Sequence, residues 1–267
     1  MSNKKTSGGF PLIVSALAIA ICIGIGFIIF YQVLGSASNF DADGPEKGHP
    51  HNFMGQMYKG GIIVPFLLGF FFTVITFAIE RFITIQKASG AGNTDKFVAN
   101  IKSLIAAKDL DGALAACDKQ KGSLANVVHE GLVKYQFVQN DNTMDKEAKV
   151  AAITKALEEA TALELPMLSK NMVVISTMAS IGTLTGLIGT VVGMIRAFAA
   201  LASAGTPDTA ALATGISEAL INTLVGIGTS AFAIIFYNLF SNRVDQLTYA
   251  MDEAGFSIIQ EFQATGK

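Results

Sequence analysis

The chain has 267 residues, of which 51% are hydrophobic and only 15% charged, where soluble domains carry about 25% charged residues. With a mean hydropathy of +0.48, this excludes an ordinary soluble domain and implies a protein embedded among membrane lipids with some polar mass attached. A formal net charge of −2 argues against a nucleic-acid binder, which would show a basic face.

Four segments are longer than the roughly 20 apolar residues needed to cross a bilayer: Phe10–Leu34, Gly61–Ile85, Met172–Leu201 and Ala210–Phe240. The first follows Lys4 and Lys5 and precedes the small residues Ser36-Ala37-Ser38, as a secretory signal would. Its apolar run exceeds the roughly 7–15 residues of a signal core, however. Residues 1–34 are therefore expected to hold a retained transmembrane helix. Residues 35–60, rich in Gly, Pro, Asp and His, are expected to form an irregular periplasmic linker. His49 and His51 lack further ligands nearby and read as solvated, so no metal site is expected.

The second span, over 61–85, ends at Glu80-Arg81, which can reach lipid headgroups or pair with each other. Residues 86–170 read as a helical cytoplasmic domain without strands. Phe97, Ile101, Leu104 and Ile105 recur at spacings of three and four, a helical period. Asp109 or Asp111 suits the cap of a helix ending near Gly122, and Ser123 the cap of another with Val127, Leu132 and Tyr135 inward. A helix over Asp145–Leu165 carries Val150, Ile153, Leu157, Ala160 and Leu163 or Glu164 in similar order. Pro166 is expected to bend the chain before the next crossing. Residues 171–202 and 210–241 then form a helical hairpin across the short loop Ser203–Pro207. Residues 242–267 read as a cytoplasmic C-terminal helix.

All but three of the 19 Lys and Arg residues lie on one side if both termini are cytoplasmic; the exceptions are Lys47, Lys59 and Arg196. The excess of basic residues on the cytoplasmic side thus predicts four crossings with both ends inside. Arg196 reads as a snorkelling anchor.

Signatures of an enzyme are missing: there is no phosphate-binding loop, and all three histidines lie outside the spans. No cofactor is expected, and Cys22 and Cys117 read as free thiols. Gly182, Gly186, Gly189 and Gly193 form small-xxx-small patterns that let helices approach closely. Ser176, Thr183 and Thr190 repeat every seven residues on one face of the third span; Thr223 and Ser230 share a face of the fourth. Asn222 and Glu218 sit on an adjacent face. Such hydroxyls serve either as interhelical glue or as a polar pathway. Glu218 favours the pathway, because a carboxylate at membrane depth costs about 2.5–3.5 kcal/mol and glue does not need one. A single carboxylate makes no proton relay, so another subunit would have to supply a second titratable group.

GLIGTVVGMIRAF (186–198), GISEALINTLVGI (215–227) and FYNLFSNRVD (236–245) together resemble the MotA/TolQ/ExbB proton-channel family, and within it the ExbB branch. Glu80-Arg81 and the large insertion before the hairpin fit the same layout. The resemblance implies an all-α membrane protein: a three-span core, here preceded by an extra N-terminal span, with a helical cytoplasmic domain. It further implies a homo-oligomeric ring, a pentamer, enclosing the single-span helices of two ExbD-like partners whose aspartate carries the proton. Such a motor of the inner membrane would energise TonB-dependent outer-membrane transport through a TonB-like protein. Carried over by motif, Thr190, Glu218 and Thr223 border the proton pathway, with Thr183, Asn222, Gly186 and Gly189 in the pore wall or in helix packing. Two features depart from the family: Thr183 stands where proline is common, and the first span has no counterpart.

Overall fold

A computed structural model describes residues 12–41, 44–202 and 208–265. Lys4, Lys5, Phe10, Lys267 and the Ser203–Pro207 loop lie outside the described residues. The chain divides into two compact units. One takes in the described residues up to Ile79 together with Asn171–Asn238; the other takes in Glu80–Lys170 and the chain from Leu239 onward.

In the first unit, α1 (Leu12–Ile29) is apolar on all sides and closes in a π-turn over Phe30–Leu34. Ile13, Leu17, Ile21 and Ile28 are exposed, as lipid-facing residues must be when the backbone is satisfied internally. The opposite face packs on α4 (Val64–Ser89). There Phe27 meets Phe66 edge-on at 5.1 Å, and Cys22 Sγ lies 3.5 Å from Thr76 Oγ1.

Residues 35–41 and 44–61 hold more regular structure than their composition predicts. They contain two short helices, α2 (Gly44–Lys47) and α3 (Phe53–Lys59). A bridge joins Phe40 to Pro50, and Asn39 Nδ2 donates to Val33 O and Leu34 O at 2.8 and 3.1 Å. Local side-chain and backbone bonds here supply what hydrophobic periodicity does not.

The hairpin is α9 (Met172–Ala202) and α10 (Thr209–Thr265). Gly182, Gly186, Gly189 and Gly193 are all buried. A Cβ on Gly186 would lie 3.0 Å from Asn222 O, and one on Gly193 2.8 Å from Gly215 O. The glycine seam is therefore the hairpin's contact line. α10 runs unbroken for 57 residues, about 85 Å, so the fourth span and the expected C-terminal helix form one continuous helix. Nothing in 241–246 breaks a helix.

The second unit adds α5 (Thr94–Ala106), α6 (Leu110–Gln120), α7 (Gly122–Gln139) and α8 (Lys146–Ser169). Their inward stripes are those of the sequence: Phe97, Ile101, Ile105, Val127, Leu132, Tyr135, Ile153 and Leu157 are buried. Asn93, Asp109 and Asp145 accept from backbone N–H groups two to three residues on, which satisfies helix-end donors. Leu163, by contrast, is 76% exposed.

Two expectations need correction. Ser123 caps nothing; it is buried inside α7, whose start is set by Lys121 at φ 60° and Gly122 at φ 82°. The helix expected to end at Leu165 runs on through Pro166 to Ser169; the break comes at Asn171 with φ 61°. Of the two roles open to Glu80-Arg81, the structure shows the pair. Arg81 is fully buried, donates to both carboxylate oxygens of Glu80, and gives Nη1 to Met167 O and Leu168 O at 3.2 Å. Arg81 thereby serves carbonyls at the end of α8 that have no partner within the helix.

Among the described residues there are four helices long and apolar enough to cross a membrane, and no strand is formed. The chain is an all-α membrane protein.

Candidate functional site

The site lies in the first unit, where the early turns of α10 pass the last turns of α9. Glu218 is 6% exposed. Its Oε1 accepts from Arg196 Nη1 at 2.6 Å across the hairpin. Arg196 is thus not merely an anchor for the lipid boundary: it supplies the countercharge that makes a carboxylate tolerable at this depth. The pair is lopsided, with a 7% exposed carboxylate side chain and a 55% exposed guanidinium.

One turn on, Asn222 is fully buried, flat against Gly189. Its Nδ2 donates to Gly60 O at 2.9 Å, while Oδ1 is buried without a hydrogen-bond partner among the described residues. Leaving such an acceptor unsatisfied costs about 1–3 kcal/mol.

Thr183 and Ser230 meet across the hairpin, hydroxyl to hydroxyl at 2.8 Å. Thr183 thus makes an interhelical bond. Thr190 and Thr223 instead donate to their own helices, to Leu187 O at 2.6 Å and to Ala219 O at 3.2 Å. A hydroxyl that donates to the backbone keeps lone pairs for a further donor. Both threonines are half-buried. Thr190 lies on an open groove of about 490 Å³ with Val191, Met194, Ile195 and Phe198. Thr223 lies beside Gly186. The structure thus joins Glu218, Asn222, Gly189, Gly186 and Thr223 along the seam and leaves Thr190 on its open flank.

The profile of the MotA/TolQ/ExbB proton channel family matches residues 120–253, a stretch that contains α9, most of α10, and Glu218, Asn222, Gly186, Gly189, Thr190 and Thr223. The chain belongs to that family. The family is one of proton channels rather than enzymes, and with its four apolar helices this member is a multi-pass inner-membrane protein. It is 28% identical over 209 residues to the biopolymer transport protein ExbB of Pseudomonas putida, covering 76% of this chain and 61% of that one. It is 27% identical over 227 residues to the Tol-Pal system protein TolQ of Haemophilus influenzae, covering 81% and 96%. A shorter match, 34% over 87 residues, links it to an ExbB-like protein of Synechocystis, covering 32% and 41%.

Sequence reasoning missed Arg196 as a partner, and it missed Gly60 and Gly61. A signal for the first was present. Thr183–Ser230 and Arg196–Glu218 are both centred near residue 207, as pairs across one antiparallel hairpin must be. Counting outward from the loop would have matched them. Gly60 and Gly61 gave no comparable signal.

Proposed function

We propose that this protein is the ring-forming subunit of a proton-motive-force-driven motor, with Thr190, Glu218 and Thr223 bordering the proton path. The observation that carries this reading is the lopsided pair: a buried Glu218 balanced by Arg196, whose guanidinium donors sit on a side chain that is 55% exposed. An acid from an ExbD-like single-span partner, two copies within a homopentamer, could approach those donors and the lone pairs of the two threonines. The partner would then carry the proton that a single carboxylate cannot relay. The open groove beside Thr190 gives that partner, or the next copy of this chain, an apolar wall.

In this reading both termini are cytoplasmic and residues 35–60 are periplasmic. The membrane potential supplies about 2.3 kcal/mol per charge per 100 mV, so several protons drive a substantial stroke. The stroke would act through a TonB-like protein on outer-membrane transport. A TolQ-type role is the second reading, favoured by the match over 96% of the Haemophilus protein's length. A gliding or flagellar stator uses the same site. A non-conducting scaffold would tolerate loss of the carboxylate.

The test is Glu218→Gln and Thr223→Val in the chromosomal copy. Both should abolish energised uptake while the complex keeps its native mass. Wild-type uptake in both variants would rule out the pore assignment. Co-purification of the partner, with native mass of the complex, separates the TonB-type from the Tol-type system.

A further inference from the structure

The first helix and residues 35–61 have no role in the proton-path reading. The structure assigns them one: together they form a clasp that holds Glu218 against Arg196, with Gly61 as the positioning residue.

Three observations converge. Gly61 has φ 77°, a left-handed conformation that glycine adopts without penalty. A Cβ built there would overlap Glu218 Oε1 and lie 3.5 Å from Arg196 Nη1. The backbone of residue 61 is therefore the wall against which the carboxylate rests. Gly60, next to it, accepts from Asn222 Nδ2, and its own Cβ would strike Ile221 Cγ2 at 2.8 Å. Two consecutive residues thus seat main-chain atoms on three side chains within about one turn of α10: Glu218, Ile221 and Asn222.

The seat is anchored from the far side by the extra span. Phe30 and Leu34, at the end of α1, form one buried cluster with Val64 and Ile221, joined by Met57, Tyr58 and Val225. Tyr58 stacks on Phe30 at 4.7 Å and meets Phe40 edge-on at 5.7 Å. α1 is itself locked to α4, since a Cβ on Gly26 would fall 2.8 Å from Gly69 N. The sequence of contacts runs from α1 through Phe30 and Tyr58 to Gly60-Gly61, and from there to Glu218. A linker that only joined two spans would need neither the cluster nor the left-handed glycine. The clasp concerns the geometry of the ion pair, so it stands or falls separately from proton conduction.

The experiment compares Gly61→Ala with Gly44→Ala. Gly44 also has positive φ, at 74°, but open space where a Cβ would go, so it carries the backbone strain without the collision. Labelling of Glu218 by dicyclohexylcarbodiimide, read by peptide mass in native membranes, reports whether the carboxylate has left its guanidinium. Labelling should rise several-fold in Gly61→Ala and in Tyr58→Ala, and stay at the wild-type level in Gly44→Ala. Thermal unfolding in detergent gives the second arm. The melting-point loss of Gly61→Ala should shrink in a Glu218→Ala background, where the overlapping oxygen is gone, and the loss of Gly44→Ala should not. If Gly61→Ala fails to accumulate, recovery of the Gly61→Ala/Glu218→Ala double variant supports the clasp and continued failure overturns it. Equal melting losses in both backgrounds, or unchanged labelling in both Gly61→Ala and Tyr58→Ala, also overturn it.

Discussion

Arg81 and Arg196 each hold a carboxylate beside an apolar helix, yet the two pairs are buried from opposite ends. At Arg81 the guanidinium side chain is 0% exposed and Glu80 13%. At Arg196 the order is reversed, with Glu218 at 7% and the guanidinium at 55%. Arg81 divides its donors between both oxygens of Glu80 and two carbonyls of α8, so it has little left for anything that arrives. Arg196 gives one nitrogen to Glu218, and its side chain stays more than half exposed. A closed pair of this kind serves the fold, and an open one can exchange partners. Glycine at 61 fits the difference: the fold spends a special backbone conformation on holding the open pair and none on the closed one.

If the contrast is real, removing the closed pair's cation has the largest cost in stability. Arg81→Met should destabilise the protein by about 3–5 kcal/mol, the usual consequence of stranding a buried charge. Chemical denaturation in detergent against wild type measures it. A loss no larger than about 1 kcal/mol, as for exposed pairs, would show that the site is wetter than its burial implies.

Arg196→Gln should show a different profile. It leaves Glu218 buried without its countercharge, so stability should fall, but by less than the roughly 3–5 kcal/mol of a fully enclosed pair, because the guanidinium side of this one is more than half exposed. Proton flux through the complex reconstituted with its partner in liposomes should collapse. Arg196→Lys should recover only part of the flux, since an ammonium keeps the charge but loses the planar fork. Full flux in Arg196→Gln would make the pair ornamental to conduction and return Arg196 to the role of anchor.

Thr183 and Ser230 provide a neutral reference on the same hairpin. Their coupling, measured by a double-mutant cycle of Thr183→Val and Ser230→Ala, should be about 0.6 kcal/mol, as is typical between membrane helices. A coupling well above that would mean that hydroxyl contacts, not the glycine seam, set the hairpin's register.

How much of this was legible in the sequence depends on range. The spans and the amphipathic helices were visible, because mean hydropathy and a 3.6-residue period are local properties: Ile101, Leu132 and Ile153 face inward as their spacing says. The cap at Asp109 was also local. Arg81 was seen beside Glu80, but its carbonyl partners lie 86 and 87 residues away, beyond any spacing rule. Ser123 looked like a cap because serine often is one; two successive positive-φ residues, Lys121 and Gly122, started the helix instead. Glu218 was identified as costly without its countercharge, because the countercharge sits on the other arm of a hairpin. Gly61 was hidden for a different reason. It gains meaning only from an oxygen contributed by residue 218, and glycine in a loop signals a turn far more often than a wall.

The last prediction asks whether the unit that houses Arg81 excludes water as its burial suggests. Cys117, in the same unit, has its thiol pushed up from 9.0 to about 12, chiefly by burial and then by the adjacent Asp118 charge. Its folded value thus lies above the unfolded one. The resulting stability is fully present below pH 9.0 and is lost as pH rises from there toward 12, because only the unfolded chain then releases the proton. Denaturation measured on either side of pH 9.0 should show this alkaline loss in wild type. Cys117→Ala should flatten that part of the slope, whatever cavity cost it carries at every pH. A slope that persists unchanged in Cys117→Ala would place the alkaline-sensitive group elsewhere. Rapid alkylation of Cys117 in the folded protein would show that water reaches the interior of this unit, and would weaken the case for a dry, closed pair at Arg81.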